Sequence, residues 1–173
     1  MVRPALAMLL ALLLPVACSN PVHDDDVQAL GPEDPSVPPG PLHRPGQPCL
    51  TCHGGAGPAT ALFSLGGTIT LTRGDSAPAV NALVQIEDIG GNYWTAPTNE
   101  VGNFFVAAEH FVPQYPIKVN LFSADMTVTQ NMQTYSARQG SCAACHALVL
   151  GPTSPGPVYL QTAETALADG GKP

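Results

Sequence analysis

Two short stretches constrain this chain more than anything else in it: Cys49-Leu50-Thr51-Cys52-His53 and Cys142-Ala143-Ala144-Cys145-His146. Each reads Cys-x-x-Cys-His, and the segment between them holds no cysteine. Residues three apart share one face of a helical turn. Each stretch therefore predicts a short helical piece that presents two thiols side by side, with an imidazole next to them. A single turn cannot stabilise itself in water. The core must come from the residues between the two stretches.

Cys-x-x-Cys-His is the attachment signature of c-type haem. Two thiols on one side of a turn reach the two vinyl groups along one edge of a porphyrin, and the next residue sets its imidazole under the iron. On this reading Cys49 and Cys52 tether one haem c, with His53 as its proximal ligand. Cys142 and Cys145 tether a second, with His146 on its iron. Ser141 is placed to cap the turn that carries the second stretch, and Gly140 permits a sharp entry. Two other readings stay open at this point. The two cysteine pairs could form a four-cysteine zinc site, which leaves both histidines unexplained. A thioredoxin-like redox pair would need a βαβ pattern, which is missing around both stretches. On "CLTCH" and "CAACH" the sequence resembles dihaem c-type cytochromes. The resemblance implies two covalent haems and an electron carrier with no catalytic residue of its own.

A proximal histidine leaves one axial position on each iron for histidine or methionine, or leaves it open for a ligand. His43, just before the first stretch in "LHRPGQPCLTCH", and Met132, shortly before the second, are the leading candidates. Met126 and His110 come next. His23 lies in an acidic run and is expected to be solvated.

The N-terminus, "MVRPALAMLLALLLPVACSN", has a basic residue, an apolar run and then small residues before Cys18. The run is too short to span a bilayer and has the parts of a secretory signal peptide. Its end, "LPVAC", resembles the bacterial lipoprotein box, although Pro15 stands where that box usually has leucine. The resemblance implies lipidation of Cys18, and Ser19 after it implies the outer membrane rather than inner-membrane retention. The expected organisation is a signal peptide over 1–17, a disordered proline-rich tether over 18–45, a dihaem-binding domain over 46–163 and a loose tail over 164–173. The expected location is the periplasmic side or outer membrane of a bacterium, with the membrane reached through the lipid anchor.

Residues 64–125 read as strands. Ile69 and Leu71 alternate with threonines, Val80, Ala82, Val84 and Ile86 share a face, and Ile117, Val119 and Leu121 lie opposite Lys118 and Asn120. Such period-two patterns, separated by "RGDSAP", "DIGGN" and "TNEVGN", predict a mainly β protein: an antiparallel β-sandwich flanked by short helical haem-binding segments. Val158 to Leu160 offers an edge strand. The segment resembles the carboxypeptidase regulatory-like, or transthyretin-like, sandwich on Asn99, Gly102 and Phe104, which stand where that family marks a turn into a strand. With the sandwich between them, the two motifs are expected at one end of the domain, with the haems near each other.

The formal net charge of −7 argues against a nucleic-acid partner and for redox partners with a basic docking face. No catalytic triad, paired carboxylate or phosphate loop is present. Glu87, Asp88 and Glu100 are expected to be solvated at turns. The leading expectation is an exported electron carrier. The alternative is a haem-dependent enzyme, a small peroxidase or reductase, or a haem-based sensor with one open axial position. Tyr93 and Trp94 are expected in the sheet or beside a haem.

Overall fold

In the computed structural model, residues 20–73, 76–148 and 151–160 are described. The alternating segments form seven strands: β1 (Phe63–Thr70), β2 (Leu83–Glu87), β3 (Tyr93–Pro97), β4 (Asn103–Ala107), β5 (Lys118–Phe122), β6 (Thr129–Asn131) and β7 (Val158–Tyr159). They make two sheets, of order β4-β1-β7 and β3-β2-β5-β6. All pairs are antiparallel except β1 with β7, which run parallel at the sheet edge. The protein is thus a mainly β sandwich with short helical flanks, as the alternation predicts.

The inner faces of the two sheets supply the core. Leu65, Ile69, Phe104 and Val106 come from one sheet, and Val84, Ile86, Ala96 and Leu121 from the other, all within one buried cluster. Burying a side chain of this size stabilises by about 1.5–3 kcal/mol, so strand alternation is the main source of stability here. Val80 departs from its expected face. It is exposed because β2 begins only at Leu83, and Asn81 sits in a turn with φ 57. Asp88 is also unlike the solvated carboxylate expected of it. It is buried and accepts from the Asn92 amide at 2.9 Å and the Gln114 amide at 3.1 Å.

The turn into β4 has the form that the sandwich resemblance implies. The Asn99 carboxamide oxygen accepts from the Val101 amide at 3.1 Å and the Asn103 amide at 3.0 Å. Gly102 takes φ 79, where a side chain would be strained, and Phe104 enters the core.

The stretch expected to be an irregular tether carries a nine-residue helix, α1 (Pro21–Ala29), none of whose residues is buried. Asn20 caps it, a proline opens its first turn and Asp24 suits the positive end of the helix dipole. These local terms are what a reading for apolar periodicity overlooks. Among the described residues no helix is long and apolar enough to cross a membrane. The signal-peptide and tail segments, Cys18 and Ser19 lie outside the described residues.

Candidate haem sites

The first motif forms helix α2 (Cys49–His53), closed by the Gly54 amide donating to the Leu50 carbonyl at 2.9 Å. The second forms a tighter turn, a 3-10 segment over Cys142–Ala144, with the His146 amide donating to the Cys142 carbonyl at 2.8 Å. Ser141 does not cap this turn with its side chain, contrary to the expectation. Its backbone is extended and bridges to Gly66, and its hydroxyl is buried without a hydrogen-bond partner among the described residues. Gly140 serves close approach rather than a turn. A Cβ there would collide with the Ser64 carbonyl and stand 2.8 Å from the Tyr115 hydroxyl.

Both motifs dock on β1. A Cβ on Gly66 would lie 3.1 Å from the Cys49 Cβ, and one on Gly67 would lie 2.7 Å from the Cys142 Cβ. Successive residues of a strand face opposite sides. Cys49 therefore packs on the outer face of the three-stranded sheet and Cys142 on its core face. The Gly66 amide donates to the Gly140 carbonyl at 3.0 Å, which ties the approach to the second motif to the same strand.

Each motif opens onto a cavity. The outer one, of about 410 Å³, is lined by Cys49, Cys52, His53, His43, Phe63 and Phe105. The second, of about 710 Å³, reaches from Cys142, Cys145 and His146 to Met132 and the core residues Leu65 and Ile86. Both linings are mostly apolar, as a porphyrin face requires. Arg44 stands at the first cavity and Arg73 and Arg138 at the second. With Lys118, these are all the Lys and Arg among the described residues.

The histidines divide into two groups. His43, His53 and His146 each donate Nδ1–H to a backbone carbonyl: His43 to Gly40, His53 to Ala61 at 2.8 Å and His146 to Gly156 at 3.0 Å. That bond fixes the tautomer and leaves Nε2 as a free lone pair, the arrangement seen around metal-ligating histidines. His53 is further held by stacking on Phe63 at 4.2 Å, and Phe63 stacks on Phe105 at 4.7 Å. The His43 and His53 ring centroids are 5.8 Å apart. This is close to the ~6 Å expected of two imidazoles that share one metal through bonds of about 2 Å.

His110 and His23 differ. His110 is exposed beside Glu109 and stacks on Trp94. His23 is not simply solvated, since its Nε2 is buried and has no partner among the described residues. Met126 is exposed at a turn with φ 61, whereas Met132 lines the second cavity. Tyr93 is exposed and Trp94 stacks with His110 and Phe111, and neither lines either of these two cavities.

Burial pushes the Cys142 thiol up to about 12, with a smaller contribution from nearby Cys49. Cys49 is likewise raised by burial. Among the described residues, which include all four motif cysteines, no group of three or more His, Cys, Asp or Glu could hold a metal ion.

Several residues that build the first site escape a reading by motif. Asn103 donates to the His43 carbonyl at 3.0 Å, and its side-chain oxygen accepts from the Thr68 hydroxyl at 2.6 Å. Thr68 in turn accepts from the Gly46 amide at 2.7 Å. Arg44 pins the chain further back, donating to the Gly31 carbonyl at 2.7 Å and to Gln47 at 2.8 Å. One signal was available in the sequence: paired glycines inside a strand pattern mark a close approach. Comparisons of the chain with protein-family models, with curated proteins and with solved structures give no match.

Proposed function

We propose that this chain is an exported dihaem c-type cytochrome that passes electrons between redox partners. The observation that carries the reading is the shared state of His43, His53 and His146. Each is fixed through Nδ1 to a carbonyl, and each lines a cavity into which a motif's thiols also face. Bound at these sites, haem supplies a one-electron ferric/ferrous couple.

The residues then have separate tasks. Cys49 with Cys52, and Cys142 with Cys145, hold the porphyrins by thioethers. His53 and His146 are the proximal ligands. His43 lines the same cavity, its ring centroid 5.8 Å from that of His53, and would supply the sixth ligand there. Met132 is the candidate at the second cavity. Phe63 stacks on His53 and Phe105 on Phe63, and Arg73 and Arg138 in the lining of the second cavity could pair with carboxylates of a bound haem. His/His ligation at one iron and His/Met at the other set the second potential higher. The net charge of −7 favours a basic partner through steering. A signal peptide over 1–17, with Cys18 as the lipidated first residue of the mature chain, would put the protein on the periplasmic side or outer membrane.

The second cavity supports another reading. It is the larger of the two, and His146 is the one histidine in its lining among the described residues. If Met132 does not ligate, that iron has an open position suited to a sensor or a small peroxidase or reductase. Optical spectra of the matured protein test the choice. Two low-spin six-coordinate haems fit the carrier. One high-spin haem that takes up carbon monoxide contradicts it and favours the alternative.

A further inference from the structure

Glycine weakens a strand interior, so two in succession at the middle of β1 need a reason. The contacts supply one for each. A Cβ on Gly66 would meet Cys49 Cβ at 3.1 Å and its Sγ at 3.2 Å. A Cβ on Gly67 would meet Cys142 Cβ and Sγ at 2.7 Å and the Phe104 ring at 3.1 Å. The two glycines face opposite sides of the sheet. Chain geometry alone then keeps the two sulfurs within about 13 Å of each other. Two further contacts draw the motifs together. The side chain of Leu50, inside the first motif, lies 3.1 Å from where a Cβ on Gly140 would stand, and Leu148, just after the second motif, fills the space beside Gly46.

We propose that Gly66–Gly67 is a shared partition between the two haem sites. Gly66 seats the cysteine edge of the first haem on the outer face, Gly67 seats that of the second on the core face, and electrons pass between the irons across this one strand. The proposal rests on the dihaem reading above. In the transfer, a ferrous iron on one side loses one electron and becomes ferric, and the ferric iron on the other gains it and becomes ferrous. No bond or proton moves. A one-electron carrier protein with a basic face supplies the electron, and a second such carrier removes it. Because the two sites are close, the charge state of one iron acts on the other, and the pair titrates in macroscopic steps that belong to both.

The glycines are positioning residues, and they are unequal. The Gly66 contacts can relax by a few tenths of an ångström, whereas those at Gly67 require Cys142 to move. The test uses the matured full chain, Gly66→Ala, Gly67→Ala and the one-haem variant Cys142→Ala/Cys145→Ala, with haems counted by intact mass. In the oxidised wild type the ferric paramagnetic signals broaden each other, and the first haem's signal sharpens in the one-haem variant. Gly67→Ala lowers loading of the second haem several-fold or shifts its spectrum, while Gly66→Ala has the smaller effect, shifting the first haem's spectrum with that haem still attached. A wild-type signal equal to the sum of isolated haems overturns the proposal, as does a Gly67→Ala protein indistinguishable from Gly66→Ala. If Gly67→Ala fails to fold by circular dichroism, the comparison of wild type with the one-haem variant decides alone. A wild-type mass without haem removes the dihaem reading itself, a separate failure.

Discussion

His43 and His53 both line the outer cavity with their ring centroids 5.8 Å apart, and each is fixed through Nδ1 to a backbone carbonyl. This pairing makes the first site the better defined of the two. Replacing His43 by alanine is expected to leave both haems attached and to turn one of them high-spin and reactive to carbon monoxide. His43→Met is expected to restore six-coordination and raise that haem's potential. Optical titration of the two variants checks both outcomes. Unchanged low-spin spectra in His43→Ala would remove His43 from the iron.

The second site separates its methionines. Met132 lines the cavity beside His146, while Met126 is exposed at a turn. Met132→Ala is expected to abolish any sulfur-to-iron charge-transfer band and lower one potential. Met126→Ala and His110→Ala are expected to leave both spectra as they were. Near-infrared spectra of the three proteins distinguish these outcomes.

Asn103 joins the sandwich to the first site, since it holds the His43 carbonyl and accepts from Thr68. Asn103→Ala removes both bonds and is expected to cost about 1–3 kcal/mol of stability. It is also expected to loosen His43, so that a fraction of the first haem becomes high-spin. Denaturant unfolding and the optical spectrum of the same sample measure the two effects.

Burial pushes the Asp88 carboxyl up, but hydrogen bonds from the Gln114 amide, the Asn92 side chain and amide, and the Gly90 amide outweigh it and hold the group below its ordinary value. A carboxyl depressed on folding contributes stability above its unfolded value and loses it as the pH falls through its folded value. Wild type is therefore expected to weaken from about pH 5 downward, and Asp88→Asn to be less stable at neutral pH with a flatter acid limb. Melting temperatures across this range test the sign. A wild-type and variant difference independent of pH would contradict it.

The sandwich was legible because β-alternation is local. Val84 and Ile86, and likewise Ile117 and Leu121, announce their buried face within a few residues. The turn at Asn99 and Gly102 was legible for the same reason. The motif residues and His43 stand out as candidates because they are near in sequence. What the chain did not disclose depends on partners far away. Gly66 and Gly67 look like loose strand residues until Cys49 and Cys142 arrive from opposite ends of the domain. Asn103 and Thr68 read as polar strand positions until the segment around His43 lies over them. The helix at Pro21–Ala29 was hidden because it rests on an Asn cap and a proline start rather than an apolar stripe.

The central claim is that four cysteines carry two haems. Its most direct test is the intact mass of the full chain after expression with the c-type haem maturation machinery. The account predicts the polypeptide plus two covalent haems, falling to one when Cys142 and Cys145 are replaced and to none when Cys49 and Cys52 are replaced as well. A colourless protein at the bare polypeptide mass, its four motif thiols free to react, would contradict it.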